Sequence, residues 1–381
     1  MNAVHIAGVA MTPFGRHTGT HAPELAQRAI LGALDDAGLE LADVQAVYCA
    51  NVFGGMILGQ LVLRDLGLAG IPVYNVENAC ASGATAVHLA RHALLADQYD
   101  TVLVFGIEQL TALGGGTIPM QRNDRMTDLY ARAGLVLPAV YAMRGTRFLH
   151  ERDATREDLA QVAVKNRRNG VLNEYAQQRT ETSVEEVLAS RMIADPLTLL
   201  QCCPSQVDGA AAVVLTKRRP TGEHAVRVLG SVVQSGLREA PGDDILDAEI
   251  TARAARLAYA QAGVDPADVG VVELHDAFTI AELLYYEALQ LAPHGEAVSL
   301  LRSGATQIDG RVPVNPSGGL LAKGHPLGAT GVAQMVELTW QLQGRAGARQ
   351  AGQPRVALAQ CTGGGIAGVD HAASSVHILG V

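Results

Sequence analysis

No two cysteines of this chain stand in a C-x-x-C arrangement, and none of the five (Cys49, Cys80, Cys202, Cys203, Cys361) belongs to a zinc-ligand pattern. That argues against a zinc module encoded in the chain and leaves reduced thiols, which suit a cytoplasmic enzyme with no metal. A basic excess is missing too: 29 Lys and Arg face 38 Asp and Glu, for a net charge of −9. This balance argues against nucleic acid or an anionic membrane surface as the main partner. Apolar runs are short and interrupted, so no transmembrane span is expected. The opening "MNAVHIAGVAMTPFG" reads as a strand, without the basic start or long apolar stretch of a signal peptide.

What the chain does have is apolar residues (48%) and 41 glycines over 381 positions, the composition of a well-packed α/β protein with many turns. It also repeats itself. "AGLELADVQAVYCANVF" (Ala37 to Phe53) lies under "AGVDPADVGVVELHDAF" (Ala262 to Phe278) at a constant offset of 225. Each copy reads as a helix ending at glycine, a loop, then an apolar strand. "CASGATAV" (from Cys80) matches "HPLGATGV" (from His325) at an offset of 245, and "TVLVFG" answers "RVALAQ" as the next strand. Two ordered matches predict a duplicated α/β unit with a largely parallel sheet in each half. The expected division is 1–112 as the first part of the N-terminal half and 113–200 as an inserted lobe. Residues 201–220 would complete that half, and 221–381 form the second. The lobe contains "MQRNDRMTDLYARAG" and "ATREDLAQVAV", charged and helical, the latter with a threonine cap.

Near the C-terminus, "CTGGGIAGVD" (Cys361 to Asp370) places Gly363, Gly365 and Gly368 in a G-x-G-x-x-G pattern. A dinucleotide site needs a helix, a second strand and an acidic residue about 20 positions on. Only 13 residues follow Gly368, and "HAASSVHILGV" reads as one strand, so the nucleotide reading fails on space. The glycines instead bring backbone N–H groups beside the thiol of Cys361, as an oxyanion site needs.

The repeat places Cys80 and His325 at equivalent stations, each at the entry from a loop into a buried helix. A thiol there feels the helix dipole and unpaired N–H groups, which favour the thiolate; a buried structural cysteine is the plainer alternative. His325, in a loop shaped by Gly318, Gly319, Gly324 and Pro326, is a candidate acid/base or oxyanion donor, or simply a turn residue. His275 ends a strand with Asp276 behind it, either functional or a cap for the helix "TIAELLYYEAL".

Together, "CAS" at Cys80, "HDAF" at His275, "GHP" at His325 and "CTG" at Cys361 resemble the thiolase superfamily over essentially the whole chain. "HDAF", "VKNRRNGVLN" and "ADPLTLLQCCPSQVDGAAAVVL" are similar to the sterol-carrier-protein (lipid-transfer) type of thiolase. The resemblance implies a duplicated, five-layered α-β-α-β-α fold with an inserted helical lobe, and a homodimer. It implies thiolysis of a 3-oxoacyl-CoA with CoA as co-substrate, or the reverse Claisen condensation. Cys80 would be the acylated nucleophile, His325 its activator and His275 the holder of an oxyanion-site water. Cys361 would be the acid/base, with the N–H groups of Cys80 and Gly363 forming a second oxyanion site. Where many relatives carry "HMG-T-AE"-like and "NASG-NDG" segments, this chain has "AMRGTRFLHE" and "CCPSQVDG", with Pro204 in place of a CoA-contacting serine. CoA recognition is therefore expected to be altered. Arg144, Arg147, Arg167 and Arg168 are candidates for its phosphates, and a small zinc-ribbon/OB-fold acyl-CoA-binding subunit is a candidate partner. A lipid-transfer-protein-like retro-aldolase is the rival activity; retention of both Cys80 and Cys361 argues against it.

Overall fold

A computed structural model describes residues 3–67, 70–114, 125–220, 224–237, 244–365 and 371–381. Among them, eleven strands occur in chain order. These are β1 (His5–Met11), β2 (Ala46–Ala50), β3 (Val73–Val76), β4 (Thr101–Gln109), β5 (Met192–Ala194), β6 (Leu197–Thr198), β7 (Asp208–Thr216), β8 (Arg227–Ser235), β9 (Val271–Glu273), β10 (Val356–Gly363) and β11 (Ala373–Gly380). Nine form one continuous sheet, in the order β3-β2-β4-β7-β1-β8-β11-β10-β9.

The duplication is legible in that order. Outward from the centre, the first half runs β1-β7-β4-β2-β3 and the second runs β8-β11-β10-β9, followed by a parallel bridge from Val272 to Val314 where a fifth strand would stand. The ladder senses match: β1/β7 and β4/β7 are antiparallel, as are β8/β11 and β10/β11, while β2/β4, β2/β3 and β9/β10 are parallel. The halves meet where His5 of β1 pairs with Arg227 of β8. Each half is thus a mixed sheet, not the largely parallel one expected. A strand entering after an inserted lobe, as β7 does, needs no helical crossover and is free to run antiparallel.

Side-chain alternation builds the layers. Along β4, Leu103, Phe105 and Ile107 pack with Leu25, Ala29 and Ile30 of the outer helix Ala22–Ala37. Val102 and Val104 face the opposite way, toward Val87, Val332 and Val336 of the central helices Ser82–Leu95 and Leu327–Leu342. In the second half, Ala357 and Ala359 of β10 meet that same central cluster, while Leu358 faces Ala254, Tyr259 and Ile280 on the far side. The outer helices Ala22–Ala37 and Glu249–Ala262 both end at a left-handed glycine, Gly38 and Gly263, as the repeat predicted.

The two central helices touch without side chains between them. A Cβ on Gly331 would lie 2.3 Å from the Ala84 nitrogen, and one on Gly83 would lie 2.7 Å from the Gly328 oxygen. All sixteen residues of Leu327–Leu342 are buried. Between the halves, the lobe contributes helices Arg125–Arg132, Leu137–Glu151, Arg156–Val171 and Val184–Ala189; residues 120–124 of its expected first segment lie outside the described residues. Thr155 caps the third of these helices in a reciprocal box with Asp158. Asp158 also accepts two hydrogen bonds from Arg302, tying the lobe to the second half.

Gly331→Ala should therefore lower unfolding stability by about 1–3 kcal/mol, the usual cost of overpacking, despite alanine's better helix propensity. Gly15→Ala, whose Cβ would meet nothing within 4 Å, should be neutral. Urea melts of the two variants check this, and equal midpoints would contradict the close-contact account.

Candidate active site

The chain leaves β3 and turns sharply before the helix Ser82–Leu95. Ala79 takes a positive φ of 49°, a conformation non-glycine residues hold only when their surroundings compel it. The compulsion is visible: Ser82 Oγ accepts from the Asn78 N–H (2.8 Å) and donates to the Ala79 carbonyl (2.5 Å). Cys80 is thereby presented just ahead of the helix. In the second half, His325 occupies the equivalent place, 4% exposed, and its neighbour Gly328 donates its N–H to Glu108 (3.1 Å). Glu108 ends β4 and also accepts from Val52 and Phe53 N–H groups. Burial raises its carboxyl to about 7, against the pull of those three amides.

Four side chains from four segments converge. The donor atoms of Cys80, His275 and His325 all lie within 4.8 Å of one another. The two imidazoles stand edge to face at 4.9 Å and 86°. Cys361, fully buried on β10, has its Sγ 3.2 Å from the Cys80 carbonyl oxygen and 3.3 Å from His275 Nδ1. One thiol with two imidazoles is also a donor set that a soft cation would accept.

The tautomer of His325 follows from its partner. The Thr330 hydroxyl donates to the Pro326 carbonyl (3.0 Å), so its oxygen accepts from His325 Nδ1 (2.7 Å). Nε2 is left with its lone pair, buried and without a hydrogen-bond partner among the described residues. Burial depresses His325 to about 3 and, with its neighbours His325 and His371, holds His275 well below the usual range. Burial also pushes the Cys80 thiol up to about 12, although the Gly364 backbone N–H favours the thiolate, and burial, with Cys80 beside it, raises Cys361 well above the usual thiol range. The thiolate expected from the helix dipole is therefore not the resting form: desolvation outweighs the dipole. The resting site holds two neutral thiols and two neutral imidazoles.

Asp276 does not cap the following helix; Phe278 occupies that cap position. It accepts instead from Leu320 N–H (2.7 Å), Leu321 N–H (3.3 Å) and Asn166 Nδ2 (2.7 Å), fixing the glycine loop that leads to His325. Gly319 leaves room for this, since a Cβ there would fall 2.3 Å from Asp276 Oδ2. Gly363 lets β10 approach the Cys80 turn, where a Cβ would lie 2.1 Å from the Asn78 oxygen. Gly364 follows against the same turn, where a Cβ on it would fall 3.5 Å from the Ala79 Cβ, and the backbone N–H groups of Gly364 and Cys80 both favour the Cys80 thiolate. Gly368 lies outside the described residues.

The four arginines lie on two lobe helices. Arg144 is buried, donating to the Asp247 carbonyl (3.3 Å) with its guanidinium 5.5 Å from the Tyr141 ring centre. Arg147 pairs with Glu151 (2.5 Å) and lines a cavity of about 530 Å³ with Ala142, Met143, Thr146 and His150. Arg167 donates to Gln178 (3.1 Å), and Arg168 is exposed. The divergent "CCPSQVDG" segment runs beside the site: Cys203 N–H donates to the Ala277 carbonyl (2.9 Å). Sequence reasoning missed Glu108, Thr330, Tyr141 and His371, none of which belongs to a recognisable spacing.

A duplicated five-layer fold with cysteine and histidine at paired helix starts defines a thiolase. The family profile described as "Thiolase, N-terminal domain" matches residues 4–219, and "Thiolase C-terminal domain-like" matches residues 239–380. The chain belongs to the thiolase family and is an acyltransferase of the thiolase kind. It is 42% identical to benzoylsuccinyl-CoA thiolase subunit BbsB of Thauera aromatica over 95% of each chain. Acetyl-CoA acetyltransferase of Methanothermobacter thermautotrophicus is 39% identical over 96% of this chain and 97% of its own. Sterol carrier protein 2 of Homo sapiens is 37% identical, over 94% of this chain and 69% of its own. Among solved structures, the Ltp2-ChsH2(DUF35) aldolase superposes with a TM-score of 0.86 at 26% identity, covering 100% of this chain and 98% of that one.

The neutral state of His325 has a measurable signature. Between its unfolded value of 6.5 and about 3, the unfolded chain binds a proton that the folded chain refuses. Stability on this account falls as pH drops through that window, by up to about 1.4 kcal/mol per pH unit. The raised carboxyl of Glu108 works in the opposite direction. His325→Asn, which removes the titrating group, should therefore flatten the fall in stability between pH 6 and pH 4 (about one proton's worth) relative to the native chain. Denaturant melts across that range check it; parallel curves would contradict it.

Proposed function

We propose that this protein cleaves a 3-oxoacyl-CoA with CoA through an acyl thioester on Cys80, or runs the same steps in reverse. The observation that carries the reading is the meeting of half-buried Cys80 with buried His325, whose Nε2 has no partner among the described residues, and with Cys361 beside His275. His325 Nε2 takes the Cys80 proton as the sulphur adds to the 3-oxo carbon, so charge appears only when substrate is present. Backbone N–H groups of Cys80 and the Gly363–Gly364 turn receive the oxygen of the tetrahedral intermediate. Breaking the C2–C3 bond leaves the acyl group on Cys80 and an enolate on the departing CoA thioester. The imidazolium of His325, with a water held by His275, receives the enolate oxygen. Cys361 donates its proton to C2, completing the shorter acyl-CoA product. The Cys361 thiolate then removes the proton of the incoming CoA thiol, whose sulphur takes the acyl group, and Cys80 leaves as a thiolate that recovers its proton from the His325 imidazolium.

CoA extends along the lobe in this reading, with Arg147 at the 530 Å³ cavity the best placed of the four arginines. Arg144, Arg167 and Arg168 remain candidates for its phosphates. The edge strand β3 exposes Tyr74 and Asn75, near Met56 (90% exposed) and Ile57, a surface suited to pairing with a second copy. Among the described residues no helix is long and apolar enough to cross a membrane, and all five cysteines are free, in keeping with a reducing cytoplasm. A retro-aldolase reading draws on the aldolase neighbour, yet it gives the Cys80–Cys361 pair no acyl chemistry to perform.

Cys80→Ala should abolish transfer with the fold intact, and peptide mass spectrometry should place the acyl adduct of the native chain on Cys80. An adduct on Cys202 or Cys203 instead would overturn the assignment. Cys361→Ala should still accept the acyl group while turnover falls by about 10²–10⁴-fold; near-native turnover would assign the proton transfer to another group. Short-chain, long-chain and aryl 3-oxoacyl-CoAs form the substrate panel, and release of an aldehyde or ketone, without CoA, from the corresponding 3-hydroxyacyl-CoAs would favour the aldolase.

A small acyl-CoA-binding subunit is part of the proposal. The divergent lobe segments support it, as do one relative described as a subunit and a structural neighbour solved with a second protein. Turnover of the isolated chain should rise on adding that subunit, with the mass of the homodimer growing to a heterotetramer. Full activity as a bare dimer would remove the partner from the proposal.

A further inference from the structure

A second set of polar groups lies behind the Cys80 turn and takes no part in the steps above. Tyr141 stands on the lobe helix Leu137–Glu151, where Ala142, Met143, Thr146 and Arg147 line the 530 Å³ cavity. Its ring is stacked on Phe278 at 4.5 Å, three residues beyond His275. Its hydroxyl lies 2.5 Å from Nε2 of His371, which is buried, and Nδ1 of His371 lies 2.7 Å from the Gly364 carbonyl oxygen. A carbonyl only accepts, so Nδ1 carries a hydrogen, and Nε2 shares the second hydrogen bond with the tyrosine hydroxyl. Gly364, at φ 62°, lies against the Cys80 turn, where a Cβ on it would fall 3.5 Å from the Ala79 Cβ, and its backbone N–H favours the Cys80 thiolate. The lobe helix touches this turn directly as well, with Leu137 Cδ2 placed 3.8 Å from where a Cβ on Gly365 would stand.

Beyond the last ladder pair of β10 (Gly363 with Ala373), Gly364 and Gly365 have little intrinsic preference, so the course of the chain at the Gly364 amide is set from outside. The His371 bond to the Gly364 carbonyl holds the peptide that follows that amide, and with it the course of the turn, and Tyr141 in turn fixes the His371 ring. We propose that His371 is the positioning residue of the oxyanion amide, held by Tyr141 so that the lobe sets the geometry at Cys80. The inference rests on Cys80 being the acylated nucleophile. It adds that acyl transfer depends on a hydrogen-bonded path from the lobe, through Tyr141 and His371, to Gly364.

The test is the rate of Cys80 acylation, followed by mass spectrometry over a range of concentrations of the best substrate of the panel, together with kcat. His371→Ala should slow acylation by about 30–100-fold, short of the 10²–10³ seen when an oxyanion donor is removed outright. The 3-oxoacyl-CoA concentration that gives half the maximal acylation rate should stay within about two-fold, because the interaction acts at the transition state. His371→Asn, whose side-chain N–H can reach the Gly364 carbonyl, should recover most of that rate. Tyr141→Phe removes one oxygen and should slow acylation by about 3–10-fold; added to His371→Asn it should cost nothing further, since both break the same link. A folded His371→Ala or Tyr141→Phe variant that acylates at the native rate overturns the inference, as does a loss confined to a rise in that half-maximal concentration. Tyr141→Phe decides the matter if His371→Ala does not fold. Failure of the native chain to acylate on Cys80 is a separate result, sinking the functional reading and this one with it.

Discussion

The contact on which the site depends is the approach of two central helices at Gly83, Gly328 and Gly331, where backbone meets backbone. Nothing attractive in those residues draws the helices together; they permit a distance that any side chain would forbid. Apolar burial on both sides supplies the drive, with Val87, Ala90, Val332 and Val336 packed between the two half-sheets. The helices meet through their first turns, so the residues just ahead of each, Cys80 and His325, are brought within reach across 245 positions of sequence.

Around that contact lies a buried polar frame that keeps the loops in place. Lys165 Nζ pairs with Glu282 (3.0 Å), which also accepts from Asn166 and Asn315; Asn166 reaches Asp276, and Asp276 holds the Leu320 and Leu321 amides. Lys323 and Ser317 close a similar set on Glu273. Buried ion pairs of this sort add little net stability, because desolvation cancels much of the attraction. Their effect here is geometric: each fully satisfied carboxylate admits one arrangement of the segments that donate to it, so the loop carrying His325 has one course.

Burial also sets the charge state. The same desolvation that disfavours a Cys80 thiolate disfavours protonated His325 and His275, so the site at rest is uncharged. A thiol with a raised pKa and an imidazole with a lowered one are poor partners until a substrate supplies a developing negative charge for amide groups to hold. The environment postpones charge separation to the moment when the amides have something to stabilise.

Much of this was written locally in the chain. Strands β2, β4, β7, β10 and β11, the glycine stops at Gly38 and Gly263, the Thr155 cap and the duplication are all short-range signals, set by side-chain period and backbone preference. The residue types and order of Cys80, His275, His325 and Cys361 were legible for the same reason. The sequence was silent, or misleading, wherever the answer depended on what lay opposite. It suggested a thiolate where burial leaves a thiol, a parallel sheet where β7 and β11 run antiparallel, and a helix cap where Asp276 holds a distant loop. Glu108 and the Tyr141–His371 pair carry no motif, because their partners lie 220 and 230 residues away. Local pattern determines which elements form and what chemistry they carry; protonation, tautomer and aim are decided by packing, since desolvation and hydrogen-bond partners exist only once distant segments meet.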